Sequence, residues 1–396
     1  MQNRYIQYLI LIIIFVSSCS SDKHAKNGLA YIDVKKTYLE KKISLTDIAD
    51  VSYLYLNSDD DDYLYKGRIH CITKNTIVVG DDISGSILFF SRDGSTKSRF
   101  NRRGQGPEEY IRADQIIYDE TTNDVFVFSL SSSFLQVYSA MGEYKRKIVL
   151  PEGAYVNLYY SFDDESLFIY DASASNERKI VMDQFYGTDL TIESFDYPFY
   201  LISKADGKFL EYVEIPFDPI PLGMNRADGT YIPGRTTRII KCQEGILLCN
   251  PETDTVFLYS KDKILTPVIY KTPSVRSTNP MTYLNNCVDV GSYQFMEVFT
   301  VRFEEGVYPS KYYMRDKKTG EIFHQKILLP DYKGKEFIIS PLRSGRDYEN
   351  GPYFELDLIE LKQAYRENKL SGKLKELVET LNEDEDNNVF MLVDFK

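Results

Sequence analysis

The chain has 396 residues, 43% of them apolar and 14% aromatic, with 32 Tyr, 23 Phe and no Trp. That length supplies a large core, and all-β architectures of this size often form one domain. A formal charge of -12, with no basic stripe along the chain, argues against nucleic acid or an anionic membrane surface as a partner.

Residues 1–19 read as an export signal. Arg4 gives a positive start, Tyr8 to Val16 form an apolar run, and Ser17 and Ser18 lead into Cys19. The run is too short for an ordinary spanning helix, which needs about 20 apolar residues. It resembles a bacterial lipoprotein signal, which implies removal of residues 1–18 and acylation of Cys19, palmitate included. The lipid would hold the protein at the outer membrane, facing either the periplasm or the medium. An ordinary signal peptide or an uncleaved anchor is the competing reading. Polar residues 19–28 would form a tether, and residues 29–396 a single folded domain.

From residue 29 onward one pattern recurs: an apolar strand, a turn with Gly or Asp, then a second strand. It appears at Ile87–Phe90 and Lys97–Phe100, and again at Leu135–Tyr138 and Tyr144–Leu150. Further copies lie at Phe199–Ile202 with Phe209–Ile215, Val256–Tyr259 with Leu265–Tyr270, and Tyr312–Met314 with Ile322–Leu328. Such turn chemistry between apolar, aromatic-rich runs signals hairpins. Upstream apolar pairs, such as Ile69–Ile72 with Thr76–Val79, bring each unit to four strands. A loose period of this length is what propeller blades produce.

The last unit settles the count. Val389–Val393 looks like the strand before a turn, but the chain stops at Lys396. The missing partner is Val51–Leu56 at the other end, and this pairing closes the ring without a free edge between first and last blades. The expected fold is therefore all-β, a six-bladed β-propeller with an N-terminal strand completing the last blade. Leu374, Leu377, Val378 and Leu381 recur at helical spacing, so a small helical insertion is expected at about 356–382, packed on the flank.

Arg102-Arg103-Gly104-Gln105-Gly106-Pro107-Glu108-Glu109-Tyr110 joins the first two blades. Gly104, Gly106 and Pro107 shape its path, since glycine admits backbone angles closed to other residues and proline fixes φ. Tyr110 is expected to be buried beside it, making this a structural loop. It carries no Lys-Ser/Thr and opens no helix, so it is not a phosphate loop.

These residues, with Asp254-Thr255-Val256-Phe257, Leu265-Thr266-Pro267-Val268 and the ending Asn382–Lys396, resemble the six-bladed β-propeller lipoproteins of Bacteroidota, similar in architecture to NHL-repeat propellers. Where that family often has Gly-Pro-Gly-Glu-Tyr, this chain has Glu108 in place of the second glycine. The resemblance implies the fold; a fold alone does not fix chemistry.

Catalytic and metal signatures are sparse. His24, His70 and His324 are far apart in sequence, and there is no His/Cys cluster, so no metal and no cofactor are expected. Asp59-Asp60-Asp61-Asp62 lacks the spacing and glycine of a calcium loop and reads as a solvated connection. Gly85-Ser86 and Gly291-Ser292 lack a nucleophile setting. Glycan cleavage needs only two carboxylates, and 59 acidic residues leave that open without nominating a pair. Cys71, Cys242, Cys249 and Cys287 include no CxxC pair and read as small buried hydrophobes.

Arg68, Arg112 and Arg238 stand at the starts of presumptive inner strands, where their guanidinium forks would meet an anionic or polyhydroxylated ligand. Ion pairs with neighbours such as Asp114 are the other reading. The function expected is a non-catalytic, lipid-anchored envelope propeller that binds a glycan, a peptide or an envelope protein. The alternatives are a hydrolase or lyase acting on glycan or peptide at the channel mouth, and a structural role in an envelope complex.

Overall fold

The computed structural model describes residues 29–56, 67–130, 132–174, 197–216, 220–225, 229–234, 236–302, 309–341, 343–345, 347–383 and 386–396. The signal, Cys19, the tether, His24 and Asp59–Asp62 lie outside these residues.

Six blade sheets follow one another along the chain, with a two-stranded ribbon of Gly223–Asn225 and Tyr231–Pro233 between blades 3 and 4. Blade 1 is Gly67–Ile72, Thr76–Asp81, Ile87–Ser91 and Thr96–Phe100. Blade 2 is Gln115–Asp119, Asp124–Phe128, Phe134–Tyr138 and Tyr144–Val149. Blade 3 comprises Val156–Ser161, Ser166–Asp171, Phe199–Ser203 and Phe209–Tyr212. Ile239–Cys242, Gly245–Asn250, Thr255–Ser260 and Leu265–Thr272 make blade 4. Blade 5 uses Thr282–Val290, Tyr293–Thr300, Ser310–Asp316 and Ile322–Leu328. Each is an antiparallel meander, and the left-handed turn residues are Gly94, Gly142, Gly207, Lys263 and Gly320. Lys263, at φ 61, takes the glycine's place in blade 4.

Blade 6 closes the ring. Its order is Tyr353–Leu356, Val389–Phe395, Ala49–Tyr55, with Val389 opposite Tyr55 and Val393 opposite Val51. It has three described strands instead of four. The inner position is filled by an irregular segment at residues 347–350, between Gly345 and Gly351, where Asp347 bridges to Lys241 and Asn350 Nδ2 donates to Ile72 O.

The core consists of apolar seams between adjacent blades. Ile77 and Val79 face blade 6 while Val78 faces blade 2, so Thr76–Asp81 is buried at every position. A strand covered on both faces reads as a continuous apolar run. Equivalent seams join blades 2 and 3, blades 3 and 4, and blades 4, 5 and 6. All four described cysteines are free and buried within these seams.

Two features go beyond the expected meanders. Ala30–Asp33 adds a parallel strand to the outer edge of blade 4, and Glu40–Ser44 does the same on blade 5. The helices Leu358–Arg366 and Gly372–Thr380 form a hairpin whose Leu358, Leu361, Leu374 and Val378 sink into the seam under blades 4 to 6. Asp357 caps the first, accepting from Glu360 N at 2.9 Å. Asn368, at φ 55, ends it in the left-handed region.

Candidate functional site

The inner strands of blades 1 to 4 and the segment 347–350 surround a channel with two mouths. The upper mouth lies where the inner strands begin, and the lower mouth where they end.

The upper mouth is a cavity of about 540 Å³. Arg68, at the second residue of its strand, enters this cavity, and its Nη2 donates to Asp114 O at 2.9 Å. Arg343 joins it from just before the irregular segment. Between them stand Leu130, Leu158, Tyr160 and Tyr353, the last anchored by its hydroxyl donating to Ile69 O at 2.7 Å. Polar and apolar surface share this wall about equally, so a concave site with convergent polar groups faces the channel.

The lower mouth, about 450 Å³, is ionic. Lys241 Nζ pairs with Glu349 Oε2 at 2.6 Å, and Lys261 Nζ with Glu349 Oε1 at 2.8 Å. Burial pushes the Asp347 carboxyl above its ordinary value despite Lys241 beside it. Burial also acts on Glu349, yet Lys241 and Lys261 hold its carboxyl below the usual range. Lys204 and Asp119 form a second buried pair at 2.6 Å. Lys204, Lys241 and Lys261 are thus neutralised inside the protein, while Lys74 also lines this mouth.

His70, Gln115, Tyr160 and Asp347 line both cavities and mark the waist. His70 Nδ1 accepts from Ile116 N at 3.2 Å, while Nε2 is sealed and finds no partner. A Cβ on Gly80 would sit 2.7 Å from that Nε2. Burial, with Arg68 nearby, pushes His70 down to about 3. Neither ring nitrogen is free to move a proton at either mouth. His324 lies on the outer strand of blade 5 against the Tyr313 ring.

The other expected residues separate. Arg112 is 72% exposed in its side chain and pairs with Asp114 at 2.9 Å, bordering a smaller crevice of about 250 Å³ with Arg103. Arg238 does not line the channel mouths: its guanidinium closes a bidentate pair with Glu252 at 2.5 and 2.7 Å, both side chains almost fully buried. Its place before an inner strand is visible in sequence, but the choice of Glu252 as partner is tertiary. Arg343 went unnamed, since nothing around the irregular segment signals a channel wall. Among the described residues no group of three His, Cys, Asp or Glu is placed to hold a metal ion. No described helix is long and apolar enough to cross a membrane.

The loop 102–110 lies between blades 1 and 2. Tyr110 is 2% exposed, and its hydroxyl donates to Gly85 O at 2.7 Å while accepting from Arg102 N. Gly106 N donates to Glu109 Oε2, and a Cβ on Gly104 would lie 1.9 Å from that oxygen. From blade 2, Gln136 donates to Pro107 O and the Tyr138 hydroxyl to Glu108 O. Its backbone carbonyls are thus held by blade 2 and its tyrosine by blade 1.

Residues 29–394 match the family described as a domain of unknown function, DUF4934. Among curated proteins none matches. Similar solved structures include a Bacteroides fragilis NCTC 9343 protein described as exported, at TM-score 0.59 and 16% identity over 93% of this chain and 99% of that one. A duf4221 family member from Bacteroides vulgatus ATCC 8482 has TM-score 0.50 and 12% identity over 88% and 97%. A virginiamycin B lyase from Staphylococcus aureus has TM-score 0.31 and 10% identity over 69% and 98%. The first two likenesses speak to the fold alone, and the third carries no weight.

Proposed function

The chain belongs to the DUF4934 family, and on that premise we propose that it is a non-catalytic, lipid-anchored propeller of the cell envelope that holds a ligand in its upper mouth. The observation that carries this reading is the cavity of about 540 Å³ lined by Arg68, Arg343, Leu158, Tyr160 and Tyr353. Its volume lies within the roughly 300–1,000 Å³ of small-molecule sites. The setting of His70 favours binding over hydrolysis or elimination, because Nδ1 already accepts from Ile116 N and Nε2 is buried, so this histidine of the cavity wall offers no base to a bound substrate.

Attachment would come from a lipid on Cys19, at the outer membrane, consistent with the apolar run before it. The exported Bacteroides fragilis protein of the same fold suits that address.

Both parts of the proposal can be tested in cells and in vitro. Cys19→Ala should abolish lipid labelling and release the protein from membranes; persistent acylation would refute the anchor. For the mouth, Asn157 is exposed on the cavity wall, so Asn157→Trp adds bulk without disturbing the core. Any hit from a glycan and peptide screen should lose at least tenfold in affinity in Asn157→Trp. Unchanged affinity would place binding elsewhere.

A further inference from the structure

Acids outnumber bases in this chain, 59 to 47, and most cations near the channel have found one. Lys204, Lys241 and Lys261 are paired at the lower mouth, Arg238 is paired in the interior, and Arg112 at the surface. Arg68 and Arg343 differ. Both line the upper cavity, and neither has a carboxylate within ion-pair distance among the described residues. Arg68 donates to a backbone carbonyl, and Arg343 lies beside the Tyr312 hydroxyl.

The acids of the same wall are engaged elsewhere. Asp114 meets Arg112 and accepts from Leu130 N at 2.9 Å. Glu355 accepts from Asn388 Nδ2 at 2.7 Å, and Asp347 sits by Lys241 at the waist. Two guanidinium groups therefore reach the cavity without a carboxylate partner among the described residues. A guanidinium fork matches a carboxylate in shape and charge better than any neutral group.

The rest of the wall chooses among carboxylates. Leu130, 53% exposed, presents aliphatic surface, with the half-buried Tyr353 and the largely buried Leu158 and Tyr160 also on the wall. Gln115, which would suit a sugar hydroxyl, already exchanges both amide groups with the Tyr159 backbone at 2.6 and 3.3 Å. That leaves Asn157 as the other neutral amide on the wall, while Leu130 offers exposed aliphatic surface to an apolar side chain.

We propose that the upper mouth takes the carboxylate end of a short apolar peptide, with Arg68 and Arg343 on the carboxylate and Leu130, Leu158 and the two tyrosines on its side chains. This rests on the reading that the upper mouth is the binding site. The test is fluorescence anisotropy on the full mature chain in detergent, with the dansylated tripeptide Leu-Phe-Leu as free acid and as C-terminal amide. An acidic disaccharide of uronic acids, titrated by calorimetry, serves as the comparison.

The acid should bind at least tenfold tighter than the amide. That gap should close in the Arg68→Gln/Arg343→Gln double variant and shrink in 0.5 M salt, roughly a 4 Å screening length. Amide affinity in the double variant, with the melting temperature, reports whether the fold is intact. Equal binding of acid and amide by wild type, a gap that survives the double substitution, or no binding of either peptide overturns the inference. Calorimetric binding of the disaccharide tighter than that of the free-acid peptide overturns it in favour of an acidic glycan. Peptide binding that Asn157→Trp leaves unchanged instead overturns the reading of the mouth itself.

Discussion

His70 shows how a single side chain can exclude a chemistry. Its Nδ1 accepts the Ile116 N–H, and protonation there would set two hydrogens against each other. The folded ring therefore resists a proton, with its affinity lowered from 6.5 to about 3 by burial and by Arg68. Between those pH values the unfolded chain binds a proton that the folded chain refuses, so stability falls as pH drops through that window. His70→Gln should flatten this part of the pH–stability curve, measured by urea denaturation at pH 7, 6, 5 and 4. A slope identical to wild type would show that the histidine protonates in the folded state. Because it stays neutral at pH 7, ligand affinity at the upper mouth should not respond to its titration between pH 6 and 8.

At the level of elements, the N-terminal arm does more than lead into blade 6. An outer blade edge presents unpaired N–H and C=O groups that invite another chain. Ala30–Asp33 occupies that edge on blade 4, from Ala30 opposite Ile269 to Asp33 opposite Thr272, and buries Ile32 completely. Glu40–Ser44 covers blade 5. Starting the chain at Leu39 would remove the first cover and leave the second in place. Losing Ile32 burial costs roughly 1.5–3 kcal/mol, and the backbone pairing adds to it. The melting temperature should fall by a few degrees in calorimetry, with concentration-dependent association visible by light scattering. A truncated chain as stable and monodisperse as the parent would show the strand to be passive.

For the whole molecule, stability depends on the junction at blade 6. Ala49–Tyr55 supplies seven pairings to Val389–Phe395, and Leu54 and Leu56 fill the seam against blade 1. Deleting Val51–Leu56 should lower the melting temperature by more than 10 °C, judged against roughly 2–4 °C per kcal/mol for chains of this order of size. An unchanged value would mean that the ring holds without it. This junction was legible in the sequence because blade strands are apolar on both faces, so an orphan strand at one end and an unmatched one at the other stand out. The hairpin turns were legible for a similar reason: Gly94, Gly142, Gly207 and Gly320 all adopt positive φ. Glu40-Lys41-Lys42 was not, because a strand added in parallel to a finished edge needs no apolar alternation. The segment replacing the inner strand of blade 6 was hidden by Pro341, Gly345 and Gly351, which read as a loop. Of the site, Arg68 could be placed from its strand, whereas Arg343 and the Arg238–Glu252 pair depend on contacts across the ring.

The closing pair also sets a clock. The strand made among the first sixty residues waits for the strand made among the last ten, and roughly 330 residues must leave the ribosome or the export channel in between. Blades 1 to 5 are local meanders and can form as they emerge, but the seams facing blade 6 stay open until Val389–Phe395 has been made. Leu54, Leu56, Ile69 and Phe90 spend that interval without their partners Phe390 and Leu392. The period of greatest exposure to proteases and to other unfinished chains is therefore fixed by the time needed to reach Val389–Phe395.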